Sequence, residues 1–189
     1  MYKELSPHCA NRLTSGGQIV NVSTVSKEGV PDVMTAAWNT PFAADEVLVV
    51  LDLPHTTTKN ILETGKFVVS IPDETKIREI NKVGSRHGAE TGDKFAWAGI
   101  TPVETPRLGI RAMPDALAYI ECELTDPEVA AKTGVCIGKA VAVRVKEELW
   151  DDGRSSFEEG FRRTLHYVTE NTYYVGGRIL KVPENHTTM

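Results

Sequence analysis

Two alternating runs set back to back, residues 18–26 and 30–36, constrain this chain more than any other feature. In the first, Val20, Val22 and Thr24 alternate with Ile19, Asn21, Ser23 and Val25, the period of a strand. Lys27-Glu28-Gly29 follows as a hairpin turn, with the glycine free to take positive φ. Pro31 is tolerated at the start of the returning strand. A chain that begins this way commits to antiparallel pairing, and the remaining segments are read against that.

Residues 46–53 form a strand with a nearly continuous apolar run, so both of its faces are expected to be covered. Thr57 or Thr58 is expected to cap a short helix through Ile61 and Leu62, with Gly65 in the left-handed position after it. Residues 67–71 read as a strand. Asp73 then caps a second helix bearing Ile77, Ile80 and Val83, with Gly84 as its stop. Residues 84–93 read as a polar, glycine-rich loop, and 101–115, with three prolines, as an extended crossing. Residues 116–124 and 136–145 are two longer strands, joined by a loop at 126–134, and 150–153 is a turn. Ser156-Phe157-Glu158-Glu159 has the form of a capping box opening a helix with Phe157, Phe161 and Leu165 on one stripe. Tyr173-Tyr174-Val175 is expected to carry the tail back to the protein body before a polar end.

Strands thus outnumber helices and do not alternate with them, which excludes a doubly wound parallel sheet. The expected fold is mainly β with inserted short helices, a Greek-key antiparallel barrel. It forms a single domain over 1–189, with its core at about 15–147 and a C-terminal helix and tail over 148–189.

With 189 residues and a net charge of −5, the chain offers no electrostatic hold on nucleic acid. No apolar run reaches the length of a membrane span, and no basic start leads into an apolar block, so neither membrane insertion nor a signal peptide is expected. Cys9, Cys122 and Cys136 are odd in number and far apart, which fits a reducing cytoplasm. No phosphate-binding P-loop, Rossmann glycine motif, zinc-ligand spacing or nucleophile elbow is present. Carboxylates on both sides of Cys122 raise its pKa, so it reads as a buried structural thiol.

Two stretches remain. Met34-Thr35-Ala36-Ala37-Trp38-Asn39-Thr40 is a strand end thinned to small residues and closed by one large ring. It is either an ordinary turn with Trp38 in the core, or a floor on which backbone groups read the edge of a planar ligand. Leu53-Pro54-His55-Thr56-Thr57-Thr58-Lys59-Asn60-Ile61 places three hydroxyls where a helix should begin. Either one threonine caps and the others are solvated, or the helix start and hydroxyls hold a phosphate monoester, with Lys59 adding charge. Asp93-Lys94-Phe95 offers a second cation.

The order of these pieces is more specific than any one of them. Gly29 to Trp38, then Thr57, Ile61, Gly65 and Phe67, then Gly84-Ser85, Asp93-Lys94-Phe95 and Glu121-Cys122-Glu123-Leu124 together resemble the flavin reductase-like family, with its FMN-binding split barrel, especially the flavoredoxin-like branch. The resemblance covers roughly residues 15–147. It implies a homodimer with one FMN per subunit near the interface. Thr35, Ala36, Ala37 and Trp38, with Asn39 beside them, would line the isoalloxazine ring. Thr57, with Thr56, Thr58 and Asn60 nearby, would hold the phosphate, and Ser85, Arg86 and Lys94 would close over the ribityl–phosphate side. NAD(P)H would supply hydride and a small-molecule or protein acceptor would take the electrons. The alternatives are an electron carrier without NAD(P)H turnover, and a flavin-free interaction domain. Two departures stand out: His55 replaces the usual arginine, and Asp32 replaces the usual asparagine.

Overall fold

The computed structural model describes residue 6 and residues 17–153, 156–157, 164–169 and 171–176. In chain order the elements are β1 (Val20–Val25), β2 (Pro31–Ala36), β3 (Asn39–Ala43), β4 (Glu46–Val50), α1 (Thr56–Thr64) and β5 (Lys66–Ile71). Next come a 3-10 turn (Glu74–Lys76), α2 (Ile77–Gly84), α3 (Gly88–Thr91), α4 (Lys94–Ala98), β6 (Val103–Glu104) and β7 (Arg111–Ala112). Then follow β8 (Ala118–Leu124), α5 (Pro127–Thr133), β9 (Val135–Val145), a second 3-10 turn (Glu147–Leu149) and the short strands β10 (Trp150–Asp151), β11 (Ser156–Phe157), β12 (Leu165–Thr169) and β13 (Thr172–Val175).

Seven strands form one antiparallel sheet in the order β2-β1-β5-β8-β9-β4-β3. Its two edges, β2 and β3, are consecutive in the chain and separated only by Ala37 and Trp38. Two residues cannot span a flat seven-stranded sheet, where neighbouring strands lie about 4.8 Å apart. The sheet therefore curls into a half-barrel, and Val50 N–H donates to Trp38 C=O at 2.8 Å, carrying the β3–β4 ladder into the link between the two edges. Val22, Val49, Phe67, Cys122 and Cys136 fill the interior, and Ile61 of α1 joins them. Among the described residues no helix is long and apolar enough to cross a membrane.

The hairpin turn, the strands expected over 18–26, 30–36, 46–53, 67–71, 116–124 and 136–145, and the helices opening near Thr57 and after Asp73 are all present, with Gly29 at φ 83°. Four expectations are corrected. The 126–134 loop is helix α5: Asp126 accepts from Val129 N–H, Pro127 opens the helix and Gly134 ends it. The 84–93 loop contains the single turn α3. The extended crossing at 101–115 is a small hairpin, β6 with β7, whose turn donates the Arg107 and Leu108 N–H groups to the buried Glu121 carboxylate. Ser156 and Phe157 pair as a strand with Asp151 and Trp150 rather than opening a helix, and Leu165 lies in β12. Glu158, Glu159 and Phe161 fall outside the described residues.

Candidate functional site

The edge strand β2, the start of α1 and the 84–93 segment meet in one cleft. At one end Thr35, Ala36, Ala37 and Trp38 line a shallow pocket of about 210 Å3, together with His55 and Tyr167. The two alanines leave the backbone of the β2–β3 link open, and Trp38 is half exposed at the mouth rather than packed in the core. At the other end Thr56, Thr57, Ser85, Arg86 and Lys94 line a polar pocket of about 170 Å3. Thr35, Met34 and His55 belong to both walls, so the ends adjoin.

Helix α1 opens on the polar pocket. Its N-cap is His55, in extended conformation and making no side-chain cap bond, so the cap expected from Thr57 or Thr58 is corrected. First-turn N–H groups without a side-chain cap form an anion site, reinforced by the helix dipole. The three threonines that follow lie about 100° apart around the helix and so face three ways. Thr56 accepts from Ala89 N–H at 2.9 Å and holds α3 in place. Thr57 is buried and donates to Asp32 at 2.5 Å. Thr58 donates to the Asp52 carbonyl at 2.8 Å, and Asn60 donates to Thr24 at 3.0 Å. The structure thus turns Thr58 and Asn60 inward, off the pocket wall. Asn39 is likewise engaged, donating to the Gln18 carbonyl at 2.7 Å, and lines neither pocket.

Beneath the polar pocket lies a buried ion pair that the sequence did not reveal. Lys94 Nζ is 3.3 Å from Asp32 Oδ1, with both side chains almost fully enclosed. Asp32 Oδ1 accepts no well-formed hydrogen bond, and Lys94 itself forms part of the pocket wall. Gly88 sits so close above that an added methyl would collide with Asp32 and Thr56, so only glycine lets the loop seat here. Arg86 lies at the mouth, paired with Glu90 at 3.6 Å.

His55 and His87 stack obliquely, ring centroids 5.1 Å apart. Burial pushes the His55 imidazole below its ordinary value, opposed by Asp52 and reinforced by His87. His55 Nδ1 is buried without a partner. An orphaned ring nitrogen, an uncapped helix start and the ion-paired Lys94 converge on one small space. Together with the alanine floor they fit a planar ring bearing an anionic tail.

Residues that the sequence reading left out are His87, Gly88 and Tyr167. The first two lay inside a segment read as loop. Tyr167 is more than a hundred positions from β2 and gave no local signal.

The family model for the flavin reductase like domain matches residues 14–173. The chain is 28% identical over 176 residues to the protein YddH of Escherichia coli K12, spanning 90% of this chain and 93% of that one. Flavoredoxin of Desulfovibrio vulgaris (Miyazaki F) has the same fold, with a TM-score of 0.81 at 24% identity over 100% of both chains. The FMN-binding domain of a flavin reductases-like enzyme from Shewanella baltica OS155 gives 0.76 at 24% identity, covering 95% and 96%.

Proposed function

The chain belongs to the flavin reductase-like family, and from that premise we propose that it is an FMN-binding oxidoreductase accepting hydride from NAD(P)H. The observation that carries this reading is the adjoining of an alanine-floored pocket and an uncapped helix start across Thr35 and His55. Neither end alone points to FMN; a ring site joined to an anion site, in a chain of this family, supports it.

In this reading Thr35, Ala36 and Ala37 present backbone groups to the isoalloxazine edge, and Trp38 closes the mouth. The first-turn N–H groups of α1, with Thr56, Ser85, Arg86 and Lys94, hold the phosphate. Thr57 acts through Asp32, fixing the carboxylate that positions Lys94. When bound, FMN would supply the redox chemistry, linking a hydride donor to a small-molecule or protein electron acceptor. The chain orients the ring, keeps one face open and neutralises the tail, and none of these tasks needs an acid or base.

Trp38 at the ring pocket and Phe42 of the edge strand β3 that follows it both stand exposed. Covering them in a homodimer would place the flavin near the interface, and light scattering of the eluted protein measures that state. The absorption spectrum of the purified protein, followed by anaerobic NADH and NADPH, tests the main reading. A flavin spectrum that bleaches supports it, and a colourless protein that leaves FMN fluorescence unquenched overturns it.

Tyr167 favours a second reading, a flavoredoxin-type electron carrier without NAD(P)H turnover, because it forms part of the wall of the alanine-floored pocket, where its ring would cover part of a bound flavin. FMN that binds but does not bleach selects this alternative.

A further inference from the structure

A cavity of about 460 Å3 lies on the far side of Thr35 and Ala37, between β2, α2 and the β12–β13 hairpin. It is larger than either pocket of the cleft, and within the roughly 300–1,000 Å3 typical of small-molecule sites. Ile19, Ile80 and Ala37 give it an apolar floor, and Tyr167 and Tyr173 form its opposite wall. Those two rings meet edge to face at 6.0 Å and 67°. Such a wall offers one aromatic face and one edge to a flat guest.

No charged residue lines this cavity among the described residues. The nearby Lys82 is turned away: its ammonium donates to the Ala98 carbonyl at 2.8 Å and lies over the Trp97 ring. The Thr35 hydroxyl is committed to the Ile80 carbonyl at 2.7 Å and that of Ser85 to the Lys82 carbonyl at 2.8 Å. The Tyr173 phenol donates to Asn81 Oδ1 at 3.5 Å, so the groups on the wall able to donate to a guest are the amides of Asn81 and Asn171 and the Tyr167 phenol. Burial raises the Tyr173 phenol above its usual value, with Tyr167 adding to the effect, so it puts no charge on the wall. A site with amide and phenol donors but no cation suits carbonyl oxygens and disfavours phosphates, carboxylates and anionic chelates.

We propose that this cavity binds an uncharged, planar, carbonyl-bearing aromatic compound of the quinone class. Resting on the FMN reading, the guest is the electron acceptor: NAD(P)H, a proton and the quinone become NAD(P)+ and the hydroquinone. The electrons cross the shared wall of Thr35, Ala37 and Tyr167.

The test is calorimetric titration of the oxidised holoprotein, and of protein stripped of flavin, with 2-methyl-1,4-naphthoquinone. 1,2-Naphthoquinone-4-sulfonate serves as the charged comparison. The uncharged quinone should bind at least about tenfold tighter than the sulfonate, with or without FMN. Asn81→Asp places a charge on the wall at an exposed helix position, and Tyr173→Ala removes one ring. Each should weaken quinone binding about tenfold and leave FMN affinity unchanged. Equal binding of both quinones, insensitivity to both variants, or competition between quinone and FMN overturns the proposal. Quinone binding by a protein that takes no FMN would retain the cavity and discard the cofactor reading; FMN binding without quinone binding would do the reverse.

Discussion

Thr57 donates its hydroxyl hydrogen to Asp32 at 2.5 Å, from a helix start to a strand 25 positions away, and both side chains are buried. A hydroxyl has one hydrogen to give, so this threonine cannot also donate to a phosphate. Lys94 is held by the same carboxylate at 3.3 Å, and its charge is largely spent there. Asp32→Asn should release that charge and tighten FMN binding by about tenfold or more, the scale of one charge-assisted hydrogen bond. Riboflavin, which lacks the phosphate, should bind as before. Fluorescence titration with both flavins measures the ratio, and an unchanged ratio would detach Lys94 from the phosphate.

Removing the other partner reads out stability instead. Lys94→Met leaves a carboxylate enclosed and unpaired, which costs about 3–5 kcal/mol when a buried pair is broken from one side. Urea unfolding of the flavin-free protein measures it. The double variant with Asp32→Asn should recover most of the loss, since neither charge then remains inside.

His55 gives the phosphate end a pH dependence of definite sign. Burial holds its imidazole below the ordinary value, so it is neutral at pH 7 in the free protein. A phosphate dianion at the α1 start favours the protonated ring, so binding takes up a proton. FMN affinity should rise as pH falls from about 8 toward 6, until the phosphate itself protonates near pH 6. Riboflavin affinity should stay flat over that window. His55→Arg supplies a permanent charge and should bind FMN more tightly, without the histidine-linked rise. For the free fold the sign is opposite. A histidine lowered by folding contributes stability present above its unfolded value and lost as pH falls through the folded one.

The strands were legible from their alternation or, over 46–53, from a nearly continuous apolar run, and α1 and α2 because each ends on a glycine or opens on a cap. Helix α5 carried equally plain signals in Asp126, Pro127 and Gly134, but its seven residues sit between two long strands and passed for a connection. β3 was not legible. Asn39–Ala43 is short, includes Pro41, and is a strand only because β4 lies beside it. Ser156 shows the reverse failure, a capping-box pattern overridden by pairing with Asp151. At the site, the threonine cluster was visible, but its division into three directions follows from helical rotation and from partners at Asp32, Asp52 and Ala89. No local pattern announces that an aspartate in β2 will meet a lysine in α4.

Cys122 and Cys136 are both fully enclosed, and burial pushes their thiols up to about 12 and about 11 respectively, with Glu121 adding to the first. Thiolate, the reactive form, is therefore scarce at each. Native protein treated with dithionitrobenzoate at pH 8 should leave both unreacted, while unfolded protein should release all three of its cysteines. Rapid native reaction of more than one thiol would show that the half-barrel opens around Phe67 and its neighbours.

Ala37 separates the ring end from the tail end experimentally. It lines the alanine-floored pocket and is absent from the polar one. Ala37→Leu adds three carbons to a space of about 210 Å3, where a planar ring would need close approach to the backbone. FMN and riboflavin affinities should fall together, by about tenfold or more if the ring cannot seat, with their ratio unchanged. Asp32→Asn and His55→Arg, by contrast, should move only the ratio. The two patterns come from opposite ends of one ligand, which is the relationship that the meeting of β2 and α1 creates. Ala37→Leu protein that binds both flavins normally would remove this strand end from the ring site, whatever the phosphate end does.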